Sequence, residues 1–231
     1  MNQNNFSLKP YYTYLGMCIA YFILIGSIVV FVDKGYGELY VNQYYNPYFD
    51  VFFAYFTNLG DGWFYTIFNV LLLFVGFYET LIALVSVLIT TIIVQYFKLS
   101  LFNQAPRPSV FFTKYFHEKV IIHYADGVNI HETNSFPSGH TTTALCMGMI
   151  LAFLIVNHLS KNKNLWLSLA FFFCFLIGFS RVYLMQHFFI DTLAGTFIGT
   201  SIPLLVIAIF EKNTTLKTHP FWSQSLLRLR K

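Results

Sequence analysis

Ser180-Arg181-Val182-Tyr183-Leu184-Met185-Gln186-His187-Phe188-Phe189-Ile190-Asp191 sets an arginine, a histidine and an aspartate between two long apolar runs. His187 and Asp191 are four apart, so on a helix their side chains share a face and can touch. An aspartate against an imidazole fixes its tautomer and stabilises its cation, which turns a histidine into a nucleophile or a base. Ionisable groups at a membrane boundary are costly to desolvate, and they are kept there chiefly for function.

The apolar runs on either side recur along the chain. The sequence is 56% hydrophobic and only 10% charged, well below the quarter or so of charged residues in a soluble domain, so the class is an integral membrane protein. Pro10 to Val32 carries no charge for 23 residues, enough to cross a bilayer. Further spans are predicted at 62–78, 80–97, 141–160, 165–180 and 192–210, with Glu79 alone between the second and third. The aromatic stretch 46–59 holds only Asp50 and ends at the breaker Gly60-Asp61-Gly62. It is expected to lie in the interface ahead of span two, or else to form the first half of a kinked span.

Six spans put both termini on one side. Lys9, Lys161, Lys163, Lys212, Lys217, Arg228, Arg230 and Lys231 then share that side, eight of the 14 basic residues. Lys34, Lys114 and Lys119 are the ordinary loop cations opposite; Lys98, Arg107 and Arg181 belong to motifs. Eight against three places the termini in the cytoplasm and the motif loops outside. The N-terminus lacks the features of a signal peptide. Nothing in the charge pattern points to nucleic acid, and no obligate protein partner is expected. Cys18, Cys146 and Cys174 fall inside spans and read as apolar filler, not as a metal or disulfide set.

The longest polar segment runs from Lys98 to Gly139. It opens with Lys98-Leu-Ser-Leu-Phe-Asn-Gln-Ala-Pro-Arg107-Pro108 and closes with Asn134-Ser-Phe-Pro-Ser138-Gly139-His140. Between them, 120–124 and 128–132 flank Ala125-Asp126-Gly127, a pattern that predicts a small β-hairpin over the outer surface. His117, His123 and His131 are irregularly spaced with no cysteine nearby, so no metal site is expected. Asp61 reads as a turn former.

A helix predicted to start at Gly139 turns its free N–H groups and positive dipole outward, an anion site before any side chain is counted. Arg107 and Arg181 supply forked donors matched to phosphate oxygens, and Lys98 a point charge. Two histidines and three cations around such a helix start point to phosphoryl transfer: the cations hold phosphate, one histidine attacks, and the other protonates the leaving oxygen.

These segments resemble the type 2 phosphatidic acid phosphatase superfamily. Pro137-Ser138-Gly139-His140 matches its second motif completely, and Ser180-Arg181 with His187 and Asp191 its third. The first motif departs, with eight residues between Lys98 and Arg107 where the family usually has six, and Ser100 where the lysine usually stands. The motif region covers about 98–191 of one membrane phosphatase domain spanning 1–231. The resemblance implies His187 as nucleophile, Asp191 as its orienting partner and His140 as general acid and base. Lys98, Arg107, Ser138, Gly139 and Arg181 would hold the phosphate, with no metal and no cofactor. The implied activity is hydrolysis of a lipid phosphomonoester or pyrophosphate, of the phosphatidic acid, phosphatidylglycerol phosphate, undecaprenyl pyrophosphate or lipid A class, through a phosphohistidine. The expected setting is a bacterial inner membrane with the site facing the periplasm. A lipid phosphotransferase on the same scaffold, or a non-catalytic membrane protein, are the alternatives.

Overall fold

The computed structural model describes residues 6–116 and 120–228. It is all-helical among these residues. Helices α1 (Tyr12–Phe31), α2 (Tyr36–Asn42), α3 (Pro47–Phe56), α4 (Gly62–Val75) and α5 (Phe77–Tyr96) form the first half. Then come α6 (Pro108–Lys114), α7 (Gly139–His158), α8 (Lys163–Tyr183), α9 (Phe189–Lys212) and the short α10 (Thr214–Thr218). With the turns that extend them, the helices at Lys9–Phe31, Phe77–Leu101, Gly139–His158, Lys163–Tyr183 and Phe189–Lys212 are each long and apolar enough to cross a membrane. The chain is a membrane protein, with its apolar surface turned outward: Ile23, Val30 and Phe31 on α1 and Leu205 and Ile209 on α9 are exposed.

The second predicted span takes a different form. At 14 residues α4 is about 21 Å long, short of the roughly 30 Å hydrocarbon core. It continues the aromatic segment instead: Pro47–Gly60 and Gly62–Val75 meet at a 56° bend. Counted as one broken span, this pair brings the number to six. Asn46 caps α3 by accepting the Tyr48 N–H at 2.9 Å, and Pro47 at the first helical position needs no partner for a missing N–H. Glu79 stands in the first turn of α5, while the break between α4 and α5 falls at Gly76.

At the centre, α7 packs on α8 and α9. Small residues let the backbones close in: a Cβ on Gly195 would lie 2.9 Å from the Ser138 carbonyl oxygen, and one on Gly199 2.9 Å from the Leu145 Cβ. Leu145, Met149, Ile150 and Phe153 of α7 and Cys174 and Ile177 of α8 fill the core with Ile82 of α5. The three cysteines are buried and free.

The ends sort cleanly. Thr13 at the start of α1 donates to Asn164 at the start of α8 at 3.0 Å. The C-terminal segment ties to the α4–α5 break through Phe77 N–H to Gln224 O and Leu226 N–H to Leu73 O, both 2.9 Å. Lys98, Ser138, Arg181 and His187 all lie at the other end.

The expected β-hairpin does not form. Asp126-Gly127 does turn, with Gly127 at φ 75°, but the flanking legs do not pair with each other. Several of their backbone groups have other partners. The Asn42 side chain takes both the N–H (2.9 Å) and the carbonyl (2.8 Å) of His123. The carbonyls of His131, Glu132 and Thr133 accept from Ser109 Oγ, Arg107 N and Arg107 Nε, each at 2.9 Å. These bonds tie His123 to α2 and the 131–133 end to the Arg107 loop, which holds the two legs to different partners.

Candidate active site

Asp191 is the hub at the motif end of the bundle. Its Oδ2 accepts from Ser135 Oγ at 2.5 Å, from the Phe188 N–H at 3.0 Å and from His187 Nδ1 at 3.2 Å. Its carbonyl accepts the Ser138 N–H at 3.1 Å. One residue in the first turn of α9 thus fixes the histidine, the loop before α7 and its own helix start. With Nδ1–H committed to the carboxylate, Nε2 of His187 keeps its lone pair. His187 is 1% exposed. Burial pushes its pKa well below the usual histidine value, and the charges of Arg107, Arg181 and Lys98 push it further. Both effects favour the neutral ring.

The start of α9 is held from outside the motifs as well. Glu38 on α2 is buried, and its carboxylate accepts the N–H groups of Phe189 (2.7 Å) and Gly35 (3.1 Å). Burial raises its pKa. Lys34, an ordinary loop charge by sequence, sits 4.2 Å over the Phe188 ring.

The cations surround His187. Arg107 reaches Thr133 O through Nε (2.9 Å) and Gln186 O through a terminal nitrogen (3.1 Å). Lys98 Nζ donates to Asn134 O at 2.7 Å. The two therefore meet adjoining carbonyls of one loop, despite the eight-residue spacing. A π-helical turn at Phe97–Leu101 and a reversal with Gln104 at φ 64° absorb the extra chain. Arg181 is buried near the end of α8, donates to Thr57 Oγ1 at 2.8 Å, and has no partner for Nε among the described residues.

Ser138 is the N-cap of α7: its Oγ accepts the Thr141 N–H at 3.4 Å and the Thr141 hydroxyl at 2.9 Å. A Cβ on Gly139 would meet nothing within 4 Å, so the helix start is open to close approach. His140, one residue on, pairs with Asp61 through Nε2 at 2.8 Å. Asp61 sits at the bend between α3 and α4. It is thus a partner of His140 and not only a turn former, and Thr57 of the same bend binds Arg181.

All eight residues singled out by sequence lie at this end of the bundle. The residues missed are those that hold them: Ser135, Asp61, Thr57 and Gln186. Each comes into place only by packing between distant segments, and none has a local signal. His123 pairs with Asp50 at 2.7 Å and stacks on Tyr45. Among the described residues no three His, Cys, Asp or Glu side chains converge as a metal set; His117 lies outside the described residues.

The sequence profile of the PAP2 superfamily matches residues 79–215. The chain belongs to the PAP2 superfamily. Phosphatidylglycerophosphatase B of Bacillus subtilis (strain 168) is 40% identical over 87 residues, 36% of this chain and 43% of that protein. A dihydrosphingosine 1-phosphate phosphatase of Schizosaccharomyces pombe is 31% identical over 94 residues, 39% of this chain and 22% of that protein. The chain thus matches less than half the length of these curated relatives. Among solved structures, the first transmembrane PAP2 type phosphatidylglycerolphosphate phosphatase from Bacillus subtilis has a TM-score of 0.63 at 24% identity, over 88% of this chain and 98% of that one. Aquifex aeolicus LpxE has a TM-score of 0.60 at 24% identity, over 74% of this chain and 92% of that one. Both likenesses show the PAP2 fold.

Proposed function

We propose that this PAP2 protein is a metal-independent membrane phosphatase that hydrolyses a lipid phosphomonoester or lipid pyrophosphate through a phosphohistidine on His187. The observation that carries the reading is a buried, carboxylate-oriented imidazole set among three cations, with a second histidine–carboxylate pair, His140–Asp61, at the start of α7. Arg107, Arg181 and Lys98 hold the nonbridging phosphate oxygens, with Ser138 and the Gly139 N–H at the α7 start. His187 Nε2 attacks phosphorus as the bond to the leaving oxygen breaks, and His140 gives that oxygen a proton. His140 then takes a proton from water, which attacks the phosphohistidine and frees inorganic phosphate and neutral His187. The fixed cations neutralise the charge that a metal would otherwise offset.

Phosphatidylglycerol phosphate leads the substrate classes, supported by the 40% identity with a phosphatidylglycerophosphatase. Phosphatidic acid, undecaprenyl pyrophosphate and lipid A phosphates follow. The protein sits in a bacterial inner membrane with both termini cytoplasmic and the site periplasmic, a reading supported by the eight-to-three distribution of loop cations.

Phosphate release by the purified, detergent-solubilised protein tests this, with the four lipids, chelator present, and His187→Ala alongside. Release by the wild type that vanishes in His187→Ala is expected. No release from any lipid by folded protein moves the reading to a transferase or to a non-catalytic role.

A further inference from the structure

A cavity of about 490 Å³ opens beside the candidate site, with Thr57, Asp61, His140, Arg181 and Gln186 on one wall and Asp126 to Asn129 and His131 on another. Two of its lining residues carry a buried donor with no partner among the described residues: Arg181 Nε and Gln186 Nε2. Native proteins rarely leave a buried N–H unpaired, and an exception needs an explanation. Arg181 belongs to the phosphate set already described. Gln186 does not; it stands between Arg181 and His187, where the motif leaves the residue unspecified.

The orientation of Gln186 is fixed. The side chain is 1% exposed. Its backbone N–H donates to Arg181 O at 2.9 Å, and its carbonyl accepts from Arg107 at 3.1 Å. The same Arg107 nitrogen lies 3.5 Å from Gln186 Oε1. A guanidinium has donors only, so the amide must turn its oxygen toward it. The NH₂ end is then left unpaired and buried, on a residue that lines the same cavity as Arg181 and His140.

We propose that Gln186 is a substrate-contacting residue, its Nε2–H donating to an anionic oxygen of the substrate's phosphate beside Arg181. This rests on the phosphatase reading above and adds a donor to it. A neutral amide suits the place. It supplies a hydrogen bond to the anion without adding to the three positive charges that already act on His187.

The test compares wild type, Gln186→Met and Gln186→Glu, using inorganic phosphate as competitive inhibitor and thermal unfolding with and without it. Losing a hydrogen bond to a charged group should weaken phosphate about 10- to 100-fold in Gln186→Met. Unfolding without phosphate should stay level or rise, because an unpaired buried donor has been replaced by an apolar isostere. Gln186→Glu keeps the oxygen that faces Arg107 and loses the donor, so it too should bind phosphate weakly. Wild-type phosphate affinity in either variant overturns the proposal. A clear drop in unfolding temperature for Gln186→Met, together with unimpaired Gln186→Glu, makes Gln186 only a brace for Arg107 and also overturns it. Failure of the wild type to bind phosphate overturns the phosphatase reading itself.

Discussion

Asp191 binds His187 Nδ1 at 3.2 Å through the same carboxylate oxygen that takes the Ser135 hydroxyl at 2.5 Å and the Phe188 N–H at 3.0 Å. Three donors on one oxygen hold the carboxylate still, and the carboxylate holds the ring. Asp191→Asn keeps the shape but offers His187 an amide and upsets the tautomer. In the serine-protease triad the equivalent change lowers kcat by about 10⁴, and a fall of about 10³ or more is expected here. Ser135→Ala should cost less, about tenfold, because the other two donors remain. Steady-state kinetics on both variants checks the order; a Ser135→Ala loss equal to that of Asp191→Asn contradicts it.

Asp61 stands to His140 as Asp191 stands to His187. General acid–base catalysis contributes about 10²–10⁴-fold, so His140→Ala should lose at least that range. Asp61→Asn should fall between that variant and wild type, since it weakens the orientation of the ring without removing it. If Asp61→Asn turns over at the wild-type rate, the bend between α3 and α4 has no part in proton transfer.

The acid side of the pH profile carries a sign that can be checked. His187 must be neutral to attack. Burial, and then the charges of Arg107, Arg181 and Lys98, hold its pKa well below the ordinary value of about 6.5. A lowered pKa keeps the imidazole neutral further into acid, so kcat/KM should hold its plateau below that pH. Lys98→Gln removes one repelling charge and lets the pKa rise, so the acid limb should move to higher pH. With the same substrate in both profiles, ionisation of the phosphate cancels. A limb that stays put or moves to lower pH contradicts the electrostatic account.

The close approach of α7 and α9 gives a stability prediction. A Cβ on Gly199 would press on the Thr142 carbonyl and come within 2.9 Å of the Leu145 Cβ. Overpacking of this kind costs about 1–3 kcal/mol. Gly199→Ala should therefore unfold at lower temperature in detergent than wild type, whereas Gly139→Ala, with open space at its Cβ, should not. Equal unfolding temperatures for Gly199→Ala and wild type would show that the helices sit further apart.

What was legible in the sequence was local. His187 and Asp191 are one helical turn apart, so their pairing follows from spacing alone. Charge-free runs place the spans because a bilayer demands about twenty apolar residues. Less legible was whatever depends on distant segments meeting. Asp61 and His140 are 79 positions apart, and Ser135 and Asp191 are 56 apart; no periodicity links either pair. The hairpin failed for the same reason: Asp126-Gly127 signals a turn, but Asn42 takes hold of His123 in one leg while Arg107 and Ser109 hold Glu132 and His131 in the other. The displaced Lys98 reaches the site because a π-helical turn takes up the added residues, a distortion that composition does not announce.

The most direct test of the central claim, that His187 carries the phosphoryl group, is a rapid alkaline quench during turnover of ³²P-labelled phosphatidylglycerol phosphate, followed by peptide mapping. Phosphohistidine survives alkali and is lost in acid. Alkali-stable, acid-labile label should appear on the peptide holding His187 and be absent in His187→Ala. Label elsewhere, or full turnover by His187→Ala, would contradict the account.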